Sequence, residues 1–229
     1  MKKILLTAFL AFPCFAMAQS EWTLPESSQP KKTEKKQKKA SATSNDKTAD
    51  MGQAKAVVSE IDAKYAAGTV PEVDGRVVFE TTLAASGVSA DSLYERTIRA
   101  ITALTKESKQ HETSRITVVN KHEHIIAAAF DEEMIFSSTA IAKDFTDVKY
   151  TLIAQCYDGS VTLKMMRISY LYEKGRSSEA TYKAEELITD REAINKKGTK
   201  LYRQNSKFRT KTIDRKDEVF GFIASRLKD

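Results

Sequence analysis

Cysteine is scarce in this chain, with two in 229 residues, Cys14 and Cys156. Cys14 lies within a predicted export segment, so the exported form keeps a single thiol and has no internal disulfide. The core must hold the fold unaided. Cys156 sits in the apolar run "YTLIAQCY" and reads as a buried small hydrophobe rather than a reactive thiol. Histidine is almost as rare, with three in all. There is no Walker loop, no G-x-G-x-x-G, no G-x-S-x-G, no C-x-x-C and no H-E-x-x-H. Nucleotide, serine-hydrolase, dithiol and zinc-protease chemistry therefore have no sequence mark here. Beyond the first residues, no stretch approaches the roughly 20 apolar residues that a spanning helix needs.

What is present begins with an export signal over residues 1–18. "MKK" is its basic start, "ILLTAFLAF" its apolar core, and Ala16 and Ala18 of "FAMA" occupy the small-residue cleavage positions. The mature chain is expected to begin at Gln19, which predicts a periplasmic or envelope-associated protein. Pro13 and Ala11 fit a lipidation site at Cys14 poorly, so a lipoprotein is not expected. Residues 19–52 form a lysine-rich leader without apolar periodicity, expected to be disordered. Its eight lysines, counted to residue 55, face five acids.

The basic balance of the whole chain, formally +6, hides an uneven distribution. Residues 56–195 carry 16 bases and 22 acids, whereas 196–217 carry nine bases and two acids. The stretch "NKKGTKLYRQNSKFRTKTIDRK" poses the functional question.

Periodicity predicts a short helix over 53–68 and then a compact domain over 73–229. "GRVVFETTLA" reads as a strand. "SADSLYERTIRAITALTK" reads as a helix capped by Ser89, with Leu93, Ile98, Ile101 and Leu104 at helical spacing. "SRITVVN" and "HIIAAAFD" suggest a hairpin, and "MIFSSTAI" a weaker strand. Asp158-Gly159 joins two further strands, since a tight turn demands positive φ. In the second arm Val161, Leu163 and Met165 share one face, and Met166, Ile168, Tyr170 and Tyr172 the other. The second face is the expected core side. "KLYR" and "KFRTK" suggest a last hairpin, which puts Lys207, Arg209 and Lys211 on one strand face. A final helix would follow, capped by Asp214. Strand, helix, several antiparallel strands and helix make an α+β domain with both helices on one face of a curved sheet.

Candidate chemistry is thin. His122 and His124 form an H-x-H pair beside an expected turn and lack a marked third ligand, so no metal and no cofactor is predicted. His111 reads as a loop residue. Glu132 and Glu133 of "FDEEM" could do acid–base work only within an enclosed site. The candidate anion-binding surface is Lys200, Arg203, Lys207, Arg209 and Lys211. A solvated edge strand protected by lysine is the simpler explanation of the same residues.

The stretches "GRVVFETTLAASGVSADSLYERTIRAI" and "EELITDREAINKKGTKLYRQNSKFRTKTIDRKDEVF" resemble an exported family common in Bacteroidota, a domain of unknown function with a TBP-like fold. The resemblance spans about residues 73–228 and implies a β-α-β-β-β-β-α unit with a curved antiparallel sheet. It brings no functional residues, and fold alone does not imply DNA binding. No duplicated unit is visible, and export argues against nucleic acid as a partner.

The expectation is a non-catalytic binding or structural module whose partner is an anionic envelope component or an envelope protein. Two alternatives stand beside it. One is an envelope hydrolase using carboxylates such as Glu132 and Glu133. The other is a small-ligand carrier using the concave sheet face.

Overall fold

The computed structural model describes residues 61–228. The export segment, Cys14, the leader and the first half of the expected 53–68 helix lie outside these residues. Within 61–68 the chain makes only one 3-10 turn, Ala63–Tyr65, held by Asp62 accepting from the Lys64 amide. The compact body nevertheless reaches back past residue 73, because Val70 is buried and Tyr65 packs on the core.

The elements in order are β1 (Glu72–Val73), β2 (Arg76–Ala84), α1 (Ala90–Leu104), β3 (Arg115–Asn120), β4 (Ile125–Ser138), β5 (Lys143–Tyr157), β6 (Ser160–Tyr172), β7 (Ala180–Lys183), α2 (Ala184–Leu187), α3 (Asp190–Ala193) and α4 (Arg203–Arg226). The sheet runs β1-β2-β6-β5-β4-β3 and is antiparallel, with β7 pairing on β6 as well. "HIIAAAFD" and "MIFSSTAI" are one long strand, β4, rather than two.

Alternation builds the core. Val77 and Phe79 of β2, Ile126, Ala128 and Phe130 of β4, and Leu152, Ala154 and Cys156 of β5 are all buried. They meet Leu93, Tyr94, Ile101 and Leu104 of α1, with Phe208, Ile213, Val219 and Ile223 of α4. Each fully buried Leu, Ile or Phe contributes about 1.5–3 kcal/mol relative to exposure. The opposite sheet face carries pairs such as Glu80–Lys164 at 3.2 Å and Thr82–Thr162 at 3.1 Å. Both long helices therefore cover one face.

Two turns anchor α1. Ser89 caps it by accepting from the Ser92 amide, as its sequence position predicts. Asp158 does more than turn the β5–β6 hairpin, since its carboxylate accepts from the Ala90 amide at 2.8 Å. Of the two turn residues only Gly159 takes a positive φ, 76°.

β6 resolves the choice between its two faces by switching. Val161, Leu163 and Met165 are buried, and after them Ile168 and Tyr170 are buried. The switch is a bulge: Lys149 pairs Ser169 and Thr151 pairs Met166, so Arg167 and Ile168 together oppose Tyr150. Arg167 adopts φ 57° there. The expected core face of Ile168 and Tyr170 thus holds only for the second half of the strand.

α4 corrects the expected last hairpin. Arg203–Arg226 is a single 24-residue helix, and Asp214 lies in its middle rather than at its cap. Its buried positions, Phe208, Arg209, Thr212, Ile213, Arg215, Val219, Phe220 and Ile223, repeat at helical spacing. Two arginines and a threonine stand among them, so the stripe reads as polar in sequence. Among the described residues, no helix is long and apolar enough to cross a membrane.

Candidate functional site

The helical conformation of 203–226 redistributes the five cations proposed as one anion-binding surface. Arg203, Lys207 and Lys211 stand four residues apart and so share a row on α4. Arg209 leaves that surface altogether, being fully buried at 0 % exposure. It donates to the carbonyls of Tyr65 (2.9 Å), Ile188 (2.6 Å) and Ala66 (2.5 Å). It also reaches Thr69 Oγ1 at 3.1 Å and Asp190 Oδ1 at 2.8 Å. A strand pattern groups it with Lys207 and Lys211; a helix turns it inward.

Lys207 is also committed. Its Nζ donates to Asp144 at 2.8 Å and to Tyr172 Oη at 2.7 Å, and sits 4.3 Å from the Tyr172 ring centroid. Burial works to lower its pKa, yet the hydrogen bonds to Asp144 and Tyr172 outweigh that and raise it. Lys200, Arg203 and Lys211 remain exposed and form no ion pair among the described residues. Lys196 and Lys197, in the loop before α4, are exposed in the same state.

Lys211 reaches a cleft of about 450 Å³ over the end of β4, against α4. Glu132 and Glu133 line it, together with Asp214, Asp217 and Glu218. The acids named by the hydrolase reading thus do converge on a cleft. Each of them is already held. Glu132, 1 % exposed, accepts twice from Arg215, from Nε at 2.7 Å and from Nη2 at 2.9 Å, and also from Gln110. Lys143 holds Glu133 at 2.6 Å. Lys64 and the Tyr65 hydroxyl hold Asp214 at 2.6 and 2.8 Å. Asp217 pairs with Lys64 at 3.3 Å, and Glu218 with Lys109 at 3.3 Å.

Arg215 is the organising residue of this cleft, and sequence reasoning does not single it out. Besides Glu132 it donates to Glu107 at 2.8 Å and to Glu218 at 3.3 Å. Burial alone would lower its pKa; Tyr150, Glu132 and Glu107 outweigh burial and raise it. The available signal is spacing, because Phe208, Thr212, Arg215 and Val219 fall on one helical face.

The histidines separate. His124 Nε2 lies 3.0 Å from Asp91 Oδ1 and its ring meets Tyr94 edge-on at 5.9 Å, whereas His122 is exposed. His111 is no free loop residue: its Nε2 is 3.1 Å from Asp147, which Lys174 also binds at 2.7 Å. Burial pushes the Asp147 carboxyl up, and the Lys174 and His111 contacts outweigh it and hold it below the usual range. Cys156 is buried beside Thr97, and burial pushes its thiol pKa up, as expected of an inert core thiol.

Comparison with known proteins supports the architecture. No curated protein matches the chain. The family model described as a domain of unknown function (DUF4468) with TBP-like fold matches residues 79–171. The crystal structure of a TBP-like protein from Parabacteroides distasonis aligns with TM-score 0.53 and 20% identity, over 70% of this chain and 97% of that one. At that identity it speaks for the fold alone. The crystal structure of a DUF4468 family protein from Bacteroides ovatus aligns with TM-score 0.69 and 35% identity, over 74% of this chain and 96% of that one. With that identity sustained over nearly all of the relative, the chain belongs to the DUF4468 family, whose domain has a TBP-like fold.

Proposed function

We propose that this protein is a non-catalytic module of the cell envelope that docks on an anionic, phosphate-bearing lipid surface. The observation that carries the reading is the set of unpaired cations around the start of α4. Lys196, Lys197, Lys200 and Arg203 are all exposed and form no ion pair among the described residues. Tyr202 stands between Lys200 and Arg203 at 45 % exposure. An exposed aromatic flanked by basic residues suits the headgroup layer, where tyrosine is enriched and each nearby cation adds about 1 kcal/mol. The lysine-rich leader adds charge of the same sign.

The cleft supports a non-catalytic role. A general acid or nucleophile needs a carboxyl free to exchange a proton or to attack. Glu132 is clamped by a bidentate arginine, and the other four cleft acids each have a cation. Export, read from residues 1–18, supplies the compartment.

The test is co-sedimentation with vesicles of phosphatidylglycerol and phosphatidylcholine, at low and high salt. The protein is the chain from residue 19, with the leader lysines changed to Ser so that the domain is measured alone. Binding at low salt that weakens at high salt is expected, because exposed charge contacts are screened. Changing Lys196, Lys197, Lys200 and Arg203 to Ser should abolish it. Equal binding by that variant would overturn the surface.

A further inference from the structure

We infer that the gap where β6 parts from β2 is a binding site for a small amphipathic anion, an apolar body bearing one oxyanion head. This goes beyond the lipid-surface reading and involves other residues.

The gap follows from the strand pairing. β2 pairs β6 as far as Val78 with Met166, and β7 takes over from Lys183 with Ser169. Both partners must use the same edge of β6, since its other edge is occupied by β5 throughout. Between the two ladders Arg167 and Ile168 have no partner strand on that edge. The β2 backbone, left without β6, finds a substitute: the Val77 amide donates to Glu185 Oε1 at 2.8 Å.

A cavity of about 480 Å³ occupies the gap. That volume falls in the roughly 300–1,000 Å³ range of small-molecule pockets. Met166 and Ile168 give it apolar wall, while Arg76, Arg167 and Lys183 bring three cations against the single acid Glu185. None of these cations has a hydrogen bond or ion pair from its side chain among the described residues. In the Glu132 cleft, by contrast, three of the four lining cations, Lys64, Lys109 and Arg215, are paired, and only Lys211 has no ion pair among the described residues. Net positive charge beside apolar wall selects a ligand with both properties. Two guanidinium groups can also grip an oxyanion through paired N–H donors.

Arg167 adds an independent mark. Its φ of 57° lies in the left-handed region, which non-glycine residues rarely adopt within a strand. Such conformations gather at sites where the surrounding structure puts them to use. Here it sits in the bulge that opens the gap, in a residue whose charge lines the cavity.

The probe is 1-anilinonaphthalene-8-sulfonate, an aromatic body with one sulfonate, read by fluorescence on the chain from residue 19. Octanoate and octyl phosphate are expected to displace it at similar concentrations. Octanol and octylamine should need at least tenfold more. Arg76→Ser with Lys183→Ser should weaken octanoate tenfold or more, and adding Arg167→Asn, which tolerates the same φ, should weaken it further. Arg76→Lys with Lys183→Arg should restore binding, which separates lost charge from lost folding. Displacement by octanol as good as by octanoate, or unchanged affinity in the triple variant, would overturn the site. Loss of octanoate binding on changing Lys200 and Arg203 instead would also overturn it, and would place the anion at the proposed lipid surface.

Discussion

Arg209 and Arg215 stand six residues apart on α4, both buried, yet they are accommodated in opposite ways. Arg209 is met by backbone: the carbonyls of Tyr65, Ala66 and Ile188 take most of its donors. Arg215 is met by carboxylates, those of Glu132, Glu107 and Glu218. Removing an ion from water carries a penalty of several kcal/mol that its partners must offset. Carbonyls offset it with oriented dipoles that do not titrate and cannot be mutated away. Carboxylates offset it with full charges that can be neutralised by acid or substitution. Arg209 therefore fastens three chain segments to each other, while Arg215 closes an electrostatic network beside a cleft.

The largest effect should come from Arg209→Leu. It leaves three carbonyls without their donor and should destabilise the domain by about 3–5 kcal/mol in urea unfolding. Glu132→Leu leaves Arg215 short of its main partner and should cost about 3 kcal/mol for the same reason. The combination Glu132→Leu with Arg215→Met removes both charges at once. It should recover most of that loss, since replacing a buried pair by packed apolar groups is often close to neutral. Arg209→Leu with Asp190→Leu should recover little, because three of the five acceptors of Arg209 are main-chain carbonyls and only Thr69 and Asp190 are side chains. Recovery in both cases, or in neither, would erase the distinction between the two arginines.

Acid should loosen the carboxylate-held contacts first. For Asp147, burial raises the carboxyl pKa, and Lys174 and His111 outweigh it; for Asp214, burial is outweighed by Lys64 and Tyr65. Both folded values lie below the unfolded ones. Their stabilisation is thus complete above the unfolded pKa of about 4 and disappears as pH falls through the folded values. Thermal midpoints should fall toward pH 3, and Asp147→Asn should flatten that dependence more than Asp214→Asn, whose site is more open to water. Arg209's carbonyl contacts should stay unaffected over the same range. Hydrogen exchange at the amides of Tyr65, Ala66 and Thr69, which bond main-chain carbonyls, offers the check.

The same contrast explains what can be read from the sequence. α1 is legible because Ser89, Leu93, Ile101 and Leu104 obey cap and period together. The Asp158-Gly159 hairpin is legible because turn chemistry is local. The helix after Asp214 is legible too, from Val219, Phe220, Ile223 and Leu227. Its extension back to Arg203 is not, because the buried stripe there runs through Arg209, Thr212 and Arg215, and the two arginines find their partners at residues 65, 107, 132 and 188. Alternation of charged and uncharged residues over 207–211 fits a strand equally well until those distant partners exist. Glu132 and Glu133 stand out in the sequence, but their pairing with Arg215 and Lys143 does not. Arg76, Arg167 and Lys183 draw no notice there because nothing local brings them together; the β6 bulge and the shared strand edge do.

The smallest effect tests whether the remaining cations are surface in the energetic sense. Lys207 and Lys211 differ by one helical turn, but only Lys207 is tied, to Asp144 and Tyr172. Lys207→Ser should destabilise by about 1 kcal/mol, because it removes a half-buried ion pair together with the ammonium stacked on the Tyr172 ring. Lys200→Ser, Arg203→Ser and Lys211→Ser should each stay within about 0.5 kcal/mol, as substitutions away from packed features do. A larger loss at Lys211 would mean that Asp214, whose pKa it helps to lower, depends on it as Glu132 depends on Arg215. The division of α4 into a structural inner face and an available outer row would then have to be redrawn around that pair. Thermal unfolding of the three single variants, set against Lys207→Ser at neutral pH, decides it.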